Sequence, residues 1–282
     1  MSQAQFMRTI VLLAGAFLSA VVASWPLLAR GQSRIYSWRL SLVALLSTAA
    51  FVVAIFLPGV RKPVAQPLVD LPALPTIGPG TAVAVTYTDG TGGMVCTAGF
   101  LVRTTTGQNG VLTAGHCNKP GEASRVSMNH GGGPYQSVGT FTQTVSEGTR
   151  GEAHDIGLIT LDSDAIPRSA SIAGAMPVAR VADDVQVGQQ LCKFGMKTGR
   201  VECGQVTDVT ESKVVFLATS QCGDSGGPVY LIQPDGAAAV GIHIRGGRAN
   251  DPNPGCSLPA TFSVAELVRP WLDQWGLTVV TG

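Results

Sequence analysis

The chain has 282 residues, of which 45% are hydrophobic and only 13% charged, and its net charge at pH 7 is +1. So nearly neutral a balance gives no field to hold nucleic acid, and no nucleic-acid partner is expected. Glycine is abundant at 35 residues and aromatic residues make up 6%, a mix that suits short strands and tight turns better than packed helices.

The average conceals two compositions. Before about residue 58 the chain is strongly apolar, and beyond it the composition is that of an ordinary soluble domain. Ile10 to Leu28 and Leu40 to Val60 run without a charge, each near the roughly 20 residues a helix needs to cross a hydrocarbon core. Pro58 closes the second run, and the connector carries Arg30, Arg34 and Arg39 with Tyr36 and Trp38. Arginine in a short loop favours the cytoplasmic side. The expectation is a transmembrane hairpin over about 10–28 and 40–60, with both ends outside and residues 1–60 serving as a multi-pass anchor in the cell membrane. A rival reading takes the first run as a cleaved signal peptide ending near the small residues Ala20 to Ser24. The following domain would then lie in the cytoplasm.

Pro63, Pro67, Pro72, Pro75 and Pro79 crowd residues 61–80, which predicts an extended spacer. A single β-rich domain is expected over 81–282. Its strands are predicted at Ala82–Tyr87, Gly99–Arg103, Val111–Thr113, Ile156–Leu161, Val214–Leu217, Val229–Ile232 and Ala239–Ile244, with Gly, Asn, Asp and Pro clusters between them. One helix is expected over Val264–Trp275, with Pro270 an awkward interior residue.

All six cysteines lie in this domain: Cys96, Cys117, Cys192, Cys203, Cys222 and Cys256. An even count behind membrane segments points to disulfides and an oxidising compartment, against the cytoplasmic alternative. Local context favours Cys96 with Cys117 and Cys192 with Cys203, leaving Cys222 with Cys256. A zinc site would need closer cysteine pairs than the chain contains, and no metal or other cofactor is expected.

Three segments carry chemistry in chain order: Thr113-Ala114-Gly115-His116-Cys117, His154-Asp155-Ile156-Gly157-Leu158 and Gly223-Asp224-Ser225-Gly226-Gly227-Pro228. A serine hydroxyl attacks a carbonyl only with a base in reach and a third group to orient that base. His116 would take the proton of Ser225, and Asp155 would hold the other ring nitrogen of His116. The oxyanion formed on attack needs backbone N–H donors, which Gly223 and Ser225 would supply. His154 would point away from Asp155 on an extended segment, suggesting a surface role, and His130 reads as a loop residue.

These segments, with Cys96 to Phe100 and Lys193 to Gly204, resemble the chymotrypsin-like (trypsin-fold) serine peptidases, in particular the bacterial branch of α-lytic protease and the streptogrisins. The resemblance implies two six-stranded antiparallel β-barrels with the site in the cleft between them. It also implies a triad of His116, Asp155 and Ser225, an oxyanion hole of Gly223 and Ser225, and the disulfide pairing given above. Three departures stand out. No Ile-Val-Gly-Gly-type terminus precedes Cys96, so an internal arginine or a hydrogen-bond network must satisfy Asp224. Cys222 stands only three residues before Ser225. Ile244 occupies a position where relatives usually carry serine.

Gly241-Ile242-His243 also resembles glutamyl endopeptidases. His243, with Arg245, Ser220 and Gly246, would line a pocket for an acidic side chain, whose buried carboxylate needs a donor. The alternative for His243 is a core histidine bonded to backbone. No acidic residue stands at Thr219 or Ser220, so a preference for Lys or Arg is not expected. The sequence thus reads as a membrane-anchored extracytoplasmic serine endopeptidase acting on protein or peptide substrates, against the alternatives of a catalytically silent peptide-binding module of the same fold or a membrane protein whose hairpin does the work.

Overall fold

The computed structural model describes residues 71–162, 166–248 and 260–282. The two expected membrane spans, and the spacer as far as residue 70, lie outside the described residues. Among the described residues no helix is long and apolar enough to cross a membrane.

The first half of the domain holds β1 (Ala82–Thr86), β2 (Gly93–Thr97), β3 (Leu101–Thr104), β4 (Asn109–Thr113), β5 (Arg125–Met128), β6 (Gln136–Ser146) and β7 (Asp155–Leu161). The second holds β8 (Ser171–Ile172), β9 (Met176–Val181), β10 (Gln190–Phe194), β11 (Val201–Val209), β12 (Lys213–Phe216), β13 (Pro228–Gln233), β14 (Gly236–Gly247) and β15 (Phe262–Leu267). The chain ends with helix α1 (Arg269–Trp275) and β16 (Leu277–Val279).

Two eight-stranded sheets result, ordered β16-β3-β4-β7-β6-β5-β1-β2 and β13-β10-β11-β12-β15-β14-β9-β8. The second closes on itself because β13 also pairs with β14, so β13, β10, β11, β12, β15 and β14 form a ring. In the first sheet β2 pairs with β1 and β3 with β4, and only residues 98–100 separate β2 from β3. One bent segment thus carries the sheet from β1 round to β4. The expected count of six is exceeded by that split strand and by β16 in one sheet, and by β8 and β9 in the other. The expectation of purely antiparallel pairing fails at β9, which runs parallel to β14.

Burial explains which strands the sequence announced. β1 reads Ala-Val-Ala-Val-Thr with its first four residues buried, and β14 buries eight consecutive residues. Strands covered on both faces need no alternation. β6 and β11 are long but interleaved with polar residues (Gln, Ser and Thr in β6; Glu, Gln, Thr and Asp in β11), with exposed residues along much of their length, and no apolar run marks them.

Two boundaries differ from expectation. The helix predicted over Val264–Trp275 begins only at Arg269; Val264 to Leu267 belong to β15. Pro270 lies in the first turn, where its missing N–H has no intrahelical partner to lose. The spacer is packed from Leu71 on: Leu71 and Ile77 are buried. Leu71 N–H donates to the Tyr135 hydroxyl at 2.8 Å and Leu74 N–H to the Asn129 carbonyl at 2.9 Å.

Cys96–Cys117 and Cys192–Cys203 are disulfides. Cys222 is disulfide-bonded as well, and Cys256 lies outside the described residues.

Candidate active site

His116 and Asp155 meet because their strands are neighbours. β4 and β7 pair with Thr113 opposite Gly157; His116 sits on the tight 3-10 turn Gly115–Cys117 just after β4, and Asp155 opens β7. The ring nitrogen Nδ1 of His116 lies 2.6 Å from Asp155 Oδ2, and the main-chain N–H of His116 donates to Oδ1 at 2.6 Å. A carboxylate oxygen accepts, so Nδ1 is the donor in this pair. Asp155 is fully buried, while the His116 side chain is 29% exposed.

Ser225 comes from the other half, on the turn between β12 and β13. That turn is fastened on three sides. Gly226 N–H donates to the His243 carbonyl at 2.7 Å and His243 N–H to the Gly227 carbonyl at 2.9 Å, tying it to β14. Thr97 N–H, from β2, donates to the Ser225 carbonyl at 2.8 Å. The Thr97 hydroxyl donates to the Gly223 carbonyl at 2.7 Å and accepts Met196 N–H at 3.0 Å. Gly223 and Gly226 have φ of 107° and 91°, left-handed angles that other residues rarely adopt. The short approach from Cys222 to Ser225 is a turn closed by Asp224 N–H on the Gln221 carbonyl at 3.0 Å.

Asp224 is fully buried, and its partner is Lys193, whose Nζ lies 2.8 Å from Oδ2. Oδ1 accepts N–H from Lys197 at 3.1 Å and from Thr198 at 2.9 Å; Oδ2 accepts Gln221 N–H at 3.0 Å and the Thr198 hydroxyl. Burial alone would raise the Asp224 carboxyl, but the Lys193 ammonium and these hydrogen bonds outweigh it and hold it below the usual range. The expected network is present, with a lysine where an arginine was considered. Its sequence signal was a lone lysine inside the otherwise apolar run Leu191-Cys192-Lys193-Phe194.

His116, Ser225, Ser220, His243, Arg245 and Gly246 all line one cavity of about 230 Å³. Gly246 and Ser220 face each other so closely that a Cβ on Gly246 would stand 2.0 Å from Ser220 Oγ; glycine keeps the cavity open there. His243 is buried, and its Nδ1 has no hydrogen-bond partner among the described residues. Burial first, and Lys193 second, hold its imidazole well below the ordinary range, so it is neutral. Arg245 donates from Nε to the Thr149 carbonyl at 2.8 Å and lies over the Phe262 ring. Arg248 lines the cavity too, and no described lining residue is acidic.

His154 lies partly at the surface as expected, yet its ring also has a buried partner. Its Nδ1 lies 2.7 Å from the buried Glu266 carboxylate, and its ring meets Trp271 edge-on at 5.1 Å. Sequence reasoning passed over Glu266 because it falls in a stretch taken for helix.

The Trypsin family model matches residues 78–268. The chain belongs to the trypsin family. Among trypsin-family relatives, streptogrisin-C of Streptomyces griseus is 32% identical over 208 residues, which is 69% of this chain but 40% of streptogrisin-C. An uncharacterized protein of Mycobacterium tuberculosis strain H37Rv is 30% identical over 159 residues, covering 52% of this chain and 66% of that one. The chain therefore spans less than half of streptogrisin-C. Among solved structures, protease A of Thermobifida fusca superposes with a TM-score of 0.54 at 22% identity, over 73% of this chain and 100% of its own. A glutamic-acid-specific serine protease, described as using a histidine triad in substrate binding, superposes with a TM-score of 0.54 at 28% identity, over 72% of this chain and 100% of its own.

Proposed function

We propose that this trypsin-family chain is a serine endopeptidase that cleaves after acidic residues. The observation that carries the reading is the 2.6 Å contact from His116 Nδ1 to Asp155 Oδ2, with His116 and Ser225 on the wall of one cavity. His116 Nε2 removes the Ser225 proton as Oγ bonds to the scissile carbonyl carbon. Asp155 holds the ring and stabilises the imidazolium. The N–H groups of Gly223 and Ser225 receive the oxyanion. The protonated ring then gives its proton to the leaving amine, the C–N bond breaks and an acyl-enzyme remains. Water, deprotonated by His116, attacks the ester and returns Ser225 to its free form.

The preference for Glu or Asp rests on the abundance of donors in the pocket, whose described lining residues include no acid. His243 offers a hydrogen from a neutral ring, and Arg245 adds positive potential. The relative of 28% identity acts on glutamic acid through a histidine triad; here His243 is the one pocket-wall histidine besides His116 among the described residues.

In this proposal the two apolar runs over 10–28 and 40–60 anchor the peptidase in the cell membrane, with its catalytic part outside. The disulfides Cys96–Cys117 and Cys192–Cys203 support an oxidising compartment.

The test is covalent labelling by a fluorophosphonate followed by cleavage of a peptide library. Labelling lost in Ser225→Ala and enrichment of Glu or Asp before the cleaved bond are expected. A folded protein that neither labels nor cleaves is the silent module; cleavage without acidic enrichment removes the specificity alone.

A further inference from the structure

Behind Asp155 lies a second carboxylate that the proposed chemistry does not use. Glu266, on β15, is fully buried. Its Oε1 accepts from His154 Nδ1 at 2.7 Å and from Trp271 Nε1 at 3.0 Å. Its Oε2 pairs with Lys213 Nζ at 2.8 Å and accepts the main-chain N–H of Asp155 at 3.3 Å. Lys213 stands directly opposite Glu266 in the β12–β15 register. It also donates to Ser212 Oγ at 3.1 Å, and that hydroxyl reaches Glu152 Oε2 at 2.7 Å. The main-chain N–H of His154 donates to Glu147 Oε2 at 3.1 Å.

The cluster joins the two halves of the domain. His154 and Asp155 belong to the first, at the head of β7. Glu266 and Lys213 belong to the second, and Trp271 to α1. The same division runs through the catalytic groups: His116 and Asp155 sit on the first half, Ser225 on the second. Reach between Ser225 and His116 is therefore set by whatever fixes one half against the other. On the nucleophile side the fastening is Thr97, which holds the Ser225 and Gly223 carbonyls. On the acid side it is Glu266.

The described hydrogen bonds to the Asp155 carboxylate come from His116 alone. Asp155 is thus located by its backbone, and Glu266 grips that backbone from the other half. A buried ion pair stabilises a fold little better than apolar residues of the same volume, so the four donors converging on Glu266 point to placement of its neighbours.

We propose that Glu266 is a positioning residue for the triad. It holds Asp155 through its main-chain N–H and the preceding His154 through its ring, and Lys213 pairs with the carboxylate and keeps it in place. The catalytic half of this inference rests on the function proposed above; the geometric half does not.

The experiment compares wild type with Glu266→Gln in the full chain, by kinetics on an acidic peptide substrate and by the low-field proton resonance of the His116 Nδ1–H···Asp155 hydrogen bond. Glu266→Gln should lower kcat by about tenfold with KM within about twofold, the pattern of a group acting in the transition state. The low-field resonance should move upfield or broaden. A folded variant with kcat within about twofold of wild type and an unmoved resonance overturns the proposal. If Glu266→Gln does not fold, His154→Gln carries the test, since that ring is 37% exposed. A kcat loss of about threefold together with a shifted resonance supports the proposal, and no change in either overturns it. If wild type hydrolyses nothing, the proposed function falls, and the resonance alone still decides the role of Glu266.

Discussion

Lys193 Nζ and Asp224 Oδ2 lie 2.8 Å apart with neither side chain exposed to solvent. The pair sits directly under the turn that carries Ser225, so the charge balance of that turn is internal to the second half of the domain. Lys193→Met would leave the Asp224 carboxylate buried and uncompensated, at a cost of about 3–5 kcal/mol. The midpoint of urea unfolding should fall accordingly in Lys193→Met. The double variant Lys193→Met/Asp224→Leu should recover part of the loss. A single variant as stable as wild type would show that the pair does not support the turn.

Because Lys193 neutralises Asp224, no free chain terminus is required beside it. The uncut chain should therefore react with a fluorophosphonate, and extending the N-terminus with a tag should leave the labelling rate unchanged. Mass spectrometry of the labelled protein reads both. Labelling that begins only after proteolytic trimming would contradict this.

His243 is held neutral well below its ordinary value. Unfolding raises its pKa toward about 6.5, so in acid the unfolded chain binds a proton that the folded chain refuses. Its contribution is present in full above pH ~6.5 and is lost as pH falls from there toward the folded value. The unfolding midpoint measured from pH 8 to 5 should decline less steeply in His243→Gln than in wild type. Equal slopes would mean that the imidazole is already solvated in the folded protein.

The Thr97 hydroxyl joins Met196 N–H to the Gly223 carbonyl across the junction of the halves. Thr97→Val keeps the shape and removes both bonds, each worth about 1 kcal/mol. The expected result is a roughly tenfold lower kcat with little change in KM, because the bonds fix the loop that faces the oxyanion. A change confined to KM would assign Thr97 to substrate binding instead.

The site was legible where chemistry demands particular residues at a turn. Gly223 to Gly227 and Gly115 to Cys117 show themselves because angles, nucleophile and base leave few substitutes. Lys193 and Glu266 were not legible. Each is one charged residue in an apolar strand, and its meaning comes from a partner 31 or 111 positions away. Strands β6 and β11 went unseen because polar side chains line their exposed faces, and α1 was drawn too long because Val264 to Leu267 fit a helical stripe as well as a buried strand. Among the described residues, the packing of Leu71 and Ile77 could not be read from proline content, which reports local stiffness and nothing about what the segment lies against.

β16 crosses back from the end of the chain to pair with β3, Val279 opposite Val102 and Leu277 opposite Thr104. The amino-terminal half thus leaves one edge unzipped until Leu277 to Val279 are in place. Contacts so distant in sequence close slowly. A chain that stops before Leu277 has its histidine and aspartate yet lacks the closing strand of the half that holds them.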